Sequence, residues 1–271
     1  MSYKRFDNED VVVSAESVTA PVFSGDVTTL TTFFTSSTQI GGTSADYYYD
    51  IYQTASALDT ARVQFSIAYA DKMGSGSLRF NSAVTASSPS STIYGQYRNL
   101  VLGDEESDFT FGNITSEHFY AIAIDRARYK EALLPGTLGL KLHVSSSGAE
   151  ITLTDNSQIV TTTTFTDAGR VFELCSGSLG DLHTTVNSNG YSFESGSYGK
   201  LLPDVGVILL NKKAIAAATG SQGGGLGIDF PVSTAANTAG NNPRVMFDAI
   251  TRAANFRICL LYTSDAADEK V

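Results

Sequence analysis

The densest stretch of potential chemistry is Gly103-Asp-Glu-Glu-Ser-Asp108, with four carboxylates (Asp104, Glu105, Glu106 and Asp108) in five positions. Clustered carboxylates can hold Ca2+. A pair at a fixed separation, for instance with Asp125, can exchange protons across a scissile bond. Calcium loops alternate their ligands around a glycine kink, and this stretch has no such register. A solvated acidic loop is the better reading, and the same holds for Asp7-Asn-Glu-Asp10. The three histidines, His118, His143 and His183, share no ligand spacing, so exposed or capping roles outweigh zinc binding or proton transfer. The chain has two cysteines, Cys175 and Cys259, and no CxxC. Nothing near Cys175 would lower a thiol pKa, so it reads as a small buried residue rather than a nucleophile. Gly223-Gly-Gly-Leu-Gly227 misses the spacing of a phosphate-cradling loop, and no G-x-S-x-G, P-loop or H-E-x-x-H is present. The expectation is a non-enzyme with no catalytic residue, no cofactor and no metal.

Two clusters suit contact better than catalysis. Asp46-Tyr-Tyr-Tyr-Asp-Ile-Tyr52 places tyrosines at 47, 48, 49 and 52. On a strand, Tyr47, Tyr49 and Ile51 share one face while Tyr48, Asp50 and Tyr52 share the other. Flat rings with hydroxyls could form a carbohydrate platform, but core on one side and subunit interface on the other is preferred. The second cluster is basic: Arg126, Arg128 and Lys130. On a strand these three point to one side, opposite Ala127 and Tyr129. That suits an inter-subunit salt-bridge edge, and equally an ordinary solvated face. The candidate interface is therefore Tyr47, Tyr48, Tyr49, Tyr52, Arg126, Arg128 and Lys130.

The elements that must position these residues read mostly as strands. Asp10–Val18, Thr28–Ser36 and Asp46–Thr54 are rich in β-branched or aromatic residues. Ala61–Asp71 alternates Val63, Phe65, Ile67 and Tyr69 on one side and reads as half-buried, paired antiparallel with the tyrosine strand. Ile93, Tyr97, Leu100 and Val101 fall at helical spacing before Gly103. His118–Ile124 returns to strand with Tyr120, Ile122 and Ile124 together, and a helical turn is expected just before Pro135-Gly136. Two hairpins follow, one from Thr137–Val144 and Glu150–Asn156, one turning at Asp167-Ala168-Gly169. Gly206–Asn211 reads as a buried strand, Lys212–Ala218 as helix-prone and Thr219–Pro243 as a long loop. Arg244–Phe256 is amphipathic, with Val245, Phe247 and Ile250 expected inward. The predicted fold class is mainly β with a few short helices (β-rich α+β), in antiparallel, sandwich-like sheets.

Composition narrows the function classes. The 271 residues are 42% hydrophobic, enough for a sizeable core, and 17% charged, below the usual ~25%. Ser, Thr, Gly and Asn fill the gap, as in virion or extracellular β-proteins. A net charge of −10 repels phosphates, so no nucleic-acid partner is expected. No apolar run reaches membrane-helix length, and the N-terminus has no signal-peptide core, so no membrane partner and no classical secretion are expected.

Several collinear stretches resemble virion structural proteins of T4-like marine phages, particularly those infecting cyanobacteria. They include Met1–Gly25, Thr31–Thr54, Val63–Ser77, Ile93–Asn113, Ala123–Leu142, Thr166–Ser178 and Gly196–Asn211. The resemblance spans nearly all of 1–257 and carries no active-site set. It implies a structural part of the particle, tail or baseplate associated and present in several copies, whose partners are other virion proteins. Localisation would be the virion, after synthesis in a host cytoplasm. A receptor- or glycan-binding virion module is the alternative, and a particle-bound hydrolase a weaker one.

The family pattern breaks at the end. Similar proteins continue after the amphipathic helix into further β-structure. Here Cys259–Glu269 (Cys-Leu-Leu-Tyr-Thr-Ser-Asp-Ala-Ala-Asp-Glu) matches one reading frame of the mosaic-end adapter used in shotgun DNA libraries. The expectation is a truncated β-rich domain over 1–258 with its native C-terminal part missing, followed by a non-native tail over 259–271 that is either frayed or arbitrarily placed, beside an incomplete sheet edge.

Overall fold

A computed structural model describes residues 16–36, 48–76, 88–112, 114–129, 131–144, 149–182, 198–216 and 241–264. In chain order the elements begin with β1 (Glu16–Pro21), β2 (Thr29–Leu30), β3 (Phe34–Thr35), β4 (Tyr48–Tyr52) and β5 (Val63–Asp71). Next come α1 (Pro89–Leu102), β6 (Thr110–Phe111), β7 (Ile114–Thr115), β8 (His118–Ile124) and β9 (Ala132–Leu133). The hairpin strands are β10 (Gly139–Val144), β11 (Ala149–Asp155), β12 (Thr164–Thr166), β13 (Gly169–Ser178) and β14 (Asp181–Leu182). The chain continues through β15 (Gly199–Leu202), β16 (Val207–Leu210), α2 (Lys212–Ala216), α3 (Asn241–Ala253), β17 (Phe256–Arg257) and β18 (Cys259–Ser264).

The protein is mainly β with three short helices, and its large antiparallel sheet curls into a half-barrel. The strand order is β2-β17-β10-β11-β13-β15-β16-β8-β5-β4-β3, with β12 and β14 attached to β13. β2 and β3 stand at opposite ends of this order, yet residues 31–33 alone join them. Four Cα steps cover at most about 14 Å, so the two edges must approach each other. Aromatic contacts across the interior agree: Phe65 of β5 lies 5.1 Å from Phe256 of β17, and Phe33 lies 6.2 Å from Phe65.

One face of the sheet lines the main core, and the register keeps it continuous. Tyr49 opposes Ile67, Ile67 opposes Ile122, and Ile122 opposes Ile208, which in turn opposes Leu201 and so leads to Phe172. All of these are buried. Directly opposed residues share a face, so apolar side chains meet row by row from strand to strand. Ala214 and Ile215 of α2 and Met246, Ala249 and Ile250 of α3 cap this core. The inward stripe of α3 thus centres on Met246, Ala249 and Ile250, while Val245 and Phe247, expected inward, are partly buried at its flank.

The second face of β5 is covered too, which corrects the half-buried expectation. Ala70 and Ala121 are buried and, with Ala68 and Ala123, form a small-residue floor on which α1 packs. Small side chains allow close approach; the same alternation would read as a solvent face only if nothing covered it. α1 forms where expected. Ser88 is extended and Pro89 opens the first turn. The Ser88 hydroxyl donates to the Gly74 carbonyl at 2.6 Å, anchoring the helix to the turn after β5. Gly103 ends it at φ 67°, its N–H donating to the Asn99 carbonyl at 2.8 Å.

Three expectations change. Thr28–Ser36 is two short strands at opposite sheet edges, because buried Phe33 turns into the core between them. The helical turn before Pro135 is replaced by strand β9, and a 3-10 turn occurs earlier, at Arg126–Arg128. The expected fraying after Ile258 is not found through Ser264. β18 pairs antiparallel with β1 over Glu16–Pro21 and with β9, and forms the centre of a three-stranded sheet. Cys259 and Leu260 are buried. An apolar segment beside two unpaired strands gains backbone hydrogen bonds and burial whatever its origin.

Candidate functional site

The tyrosine strand divides as its alternation predicts. Tyr49 and Ile51 are fully buried, while Tyr48 is 36% exposed and Tyr52 half-buried. Phe34 of β3 sits directly opposite Tyr52, so it joins the same outward face and is 42% exposed. Asp50 lies between the two outward tyrosines and accepts a hydrogen bond from the Ser66 hydroxyl at 2.6 Å. Burial, then the Asp50 charge, pushes the Tyr52 phenol above its ordinary range. The Tyr49 phenol is raised by burial, tempered by Arg244 of α3. Tyr47 lies outside the described residues, as does Lys130.

The basic residues do not form a strand strip, which corrects that expectation. The Asp125 carboxylate accepts the Ala127 N–H at 2.8 Å and bends Arg126–Arg128 into the 3-10 turn. Arg126 folds back: its guanidinium stacks 4.5 Å over the Tyr129 ring and donates to the Tyr129 carbonyl. Tyr129 in turn covers Gly206, where φ is 69° and an added Cβ would fall 2.4 Å from the phenol oxygen. Arg128 donates to the Ser24 hydroxyl. The signal available in sequence was Asp125 itself, a capping residue placed directly before the run.

One end of the sheet brings some of these residues together. β4 ends, β5 starts and β8 ends there, since Tyr52 opposes Val63 and Phe65 opposes Ile124. Buried Gln64 is the hub, a residue that sequence reasoning passed over. Its amide donates to Gln53 at 2.8 Å and to the Ser24 hydroxyl at 2.9 Å, and its carbonyl oxygen accepts the Ser24 N–H at 2.8 Å. Through Ser24 it reaches Arg128. Tyr52, Phe34, Arg126 and Arg128 thus gather at this end, with Tyr48 about 13 Å further along the strand.

The acidic loop is tied locally. Hydrogen bonds from the Ser107 hydroxyl and the Glu106 N–H hold the Asp104 carboxyl below its ordinary value. Asp108 pairs with Lys72, whose own N–H donates to the Glu117 carbonyl. Asp108 and Asp125 therefore flank opposite ends of β8, roughly 20 Å or more apart, against the ~10 Å limit of a glycosidase pair. His143 faces Glu150 at 3.5 Å, His118 lies beside the Tyr69 ring, and His183 is outside the described residues. Cys175 is buried, as expected. Among the described residues no group of three or more His, Cys, Asp or Glu converges as metal ligands would, and no helix is long and apolar enough to cross a membrane. The described candidate residues are an outward aromatic strip, Phe34, Tyr48 and Tyr52, on β3 and β4, and two arginines held by intrachain bonds after β8. No protein-family model, no curated protein and no solved structure matches the chain.

Proposed function

We propose that the chain is a structural component of a tailed bacteriophage particle, tail or baseplate associated, that acts by protein–protein contact without catalysis. The observation that carries the contact role is the exposed edge formed by Phe34, Tyr48 and Tyr52, backed by the fully buried Tyr49 and Ile51. A rigid strand holds these rings, so docking a neighbour costs little side-chain entropy and buries large apolar area. The phage assignment rests on the collinear resemblance of residues 1–257 to virion proteins of T4-like marine phages. On this reading the partners are neighbouring virion proteins, in several copies per particle, and the site of action is the virion. The protein is expected to co-purify with intact particles. A Phe34→Ser/Tyr48→Ser variant should fold normally, with stability within about 0.5 kcal/mol, yet be depleted from particles. Its absence from particle proteomics, or undiminished incorporation of the variant, would count against the role.

A second reading, a glycan-binding module, draws on one observation: Asp50 lies between Tyr48 and Tyr52 on the outward face. Burial of Tyr49 halves the platform. Binding of the purified protein on a glycan array, lost in Tyr48→Ala, would favour it.

A further inference from the structure

At the β2 end of the strand order, the sheet carries a polar cleft. Strands β2, β17, β10 and β11 turn Leu30, Phe256, Leu140 and Leu153 into the core. The alternate positions share the other face: Thr29 opposes Arg257, Arg257 opposes Gly139, and Lys141 opposes Thr152. With Asn255, these residues line most of a cleft of about 290 Å3. The chain carries 28 acidic residues against 18 basic ones, yet this lining holds two cations and no acid. Lys141 is partly engaged by Glu150 at 2.5 Å, just outside the lining. Arg257 is not: its Nε is shielded from solvent and has no hydrogen-bond partner among the described residues. A guanidinium is always charged and offers only donors, so Arg257 brings to the cleft a positive charge with no carboxylate partner among the described residues.

Gly139 leaves the floor open without any conformational need for glycine. Its backbone is outside the left-handed region, and an added Cβ would make only ordinary contacts, 3.4 Å from Leu179 and 3.7 Å from the Arg257 Cβ. Gly139 is the first residue of β10, so its missing side chain costs the strand little and leaves room in the cleft. The cleft lies at the low end of the roughly 300–1,000 Å3 range for ligand sites, which suits a group of few atoms.

We infer that this cleft binds a single oxyanion group, a carboxylate or a phosphate, on the Arg257 guanidinium with Lys141 beside it. The guanidinium fork matches two oxygens of either group, while Asn255, Thr29 and Thr152 bring neutral polar groups around it. The site is independent of the assembly role proposed above.

The test is an NMR titration of the 15N-labelled protein with succinate and, separately, with inorganic phosphate, each against chloride at matched ionic strength. Saturable shifts are expected at the amides of Gly139, Lys141, Asn255 and Arg257 and at the Arg257 Nε–H. Whichever anion saturates at lower concentration names the source. Arg257→Met should weaken binding about tenfold or more. Gly139→Leu, which fills the cleft and leaves both charges, should abolish it. Should Arg257→Met not fold, Lys141→Met and Gly139→Leu carry the same comparison. The inference is overturned if neither anion shifts these resonances beyond chloride, or if the folded variants titrate like the parent.

Discussion

Two ion pairs show how environment sets the worth of a charge. Glu173 and Lys200 oppose each other on β13 and β15 and form a salt bridge, with Lys200 only 8% exposed. Burial pushes the Glu173 carboxyl above its ordinary 4.5, outweighing the charge and hydrogen bond of Lys200, which pull it down. The folded state thus holds that proton more tightly than the unfolded one. This contribution to stability is full below 4.5 and is lost as pH rises through the folded value. Asp204 behaves oppositely. Burial works against its charge, but the bonds from the Arg170 side chain and N–H, and then the Arg170 charge, hold it below its ordinary 3.8. Its contribution is present above 3.8 and is lost as pH falls through the lowered value. Urea midpoints over a pH series should separate the two: Glu173→Gln flattens the loss toward neutral pH, and Asp204→Asn flattens the loss at the acid end. Lys200→Met strands a buried carboxylate and should cost about 3–5 kcal/mol at neutral pH. The double change Glu173→Leu/Lys200→Met should recover most of that, and failure to recover would mean the pair matters for more than mutual neutralisation.

At the scale of elements, Tyr94 joins three of them. It lies on α1, is 2% exposed, donates to the Ser116 carbonyl at 2.9 Å and accepts the Phe109 N–H at 3.0 Å. Its ring packs on Phe119 of β8, and Phe119 packs on Phe109 and Phe111 beside the β6–β7 hairpin. Tyr94→Phe keeps the packing and leaves two buried backbone groups unpaired, at a cost of about 1–3 kcal/mol. Amide exchange should quicken at Phe109 and through β6–β7 before it changes in β8; uniform acceleration would contradict a local staple. The helix itself was legible, because Ile93, Tyr97 and Val101 keep a 3.6 period that ends at a glycine. So were the β10–β11 and β12–β13 hairpins, whose pairing needs only neighbours in sequence. The split of Thr28–Ser36 was not, since its halves pair with β17 and β4, which stand next to the two ends of the strand order. Periodicity reports which face a residue takes, not which strand lies beside it. The candidate surface divides the same way. The two faces of β4 followed from alternation, whereas the Gln64 hub depends on contacts between residues 40 positions apart.

At the scale of the whole molecule, the segment whose sequence looks foreign is also the one that completes a sheet. β18 supplies partners to β1 along six residues and to β9 at Ala132 and Leu133. Its Cys259 N–H donates to the Thr137 hydroxyl at 3.0 Å, and the Cys259 carbonyl accepts the Leu134 N–H at 2.8 Å. A strand ladder reads backbone spacing and apolar alternation; it does not read provenance. The half-barrel, by contrast, closes through β2, β17 and the Phe65–Phe256 contact, all of which precede residue 259. A chain ending at Ile258 should therefore keep the large sheet and its cooperative unfolding. It should lose about 2–4 kcal/mol from the burial of Cys259 and Leu260 and from the contacts they provide. Amide protection should vanish in β1 and at Leu134, whose N–H loses the Cys259 carbonyl, and persist in β5, β8 and β16 and at Leu133, which the Pro203 carbonyl still holds. Equal midpoints and equal exchange in the two chains would show that β18 adds nothing to the fold. Collapse of the whole sheet would show that the half-barrel depends on it, and that the three-stranded sheet is part of the same cooperative unit.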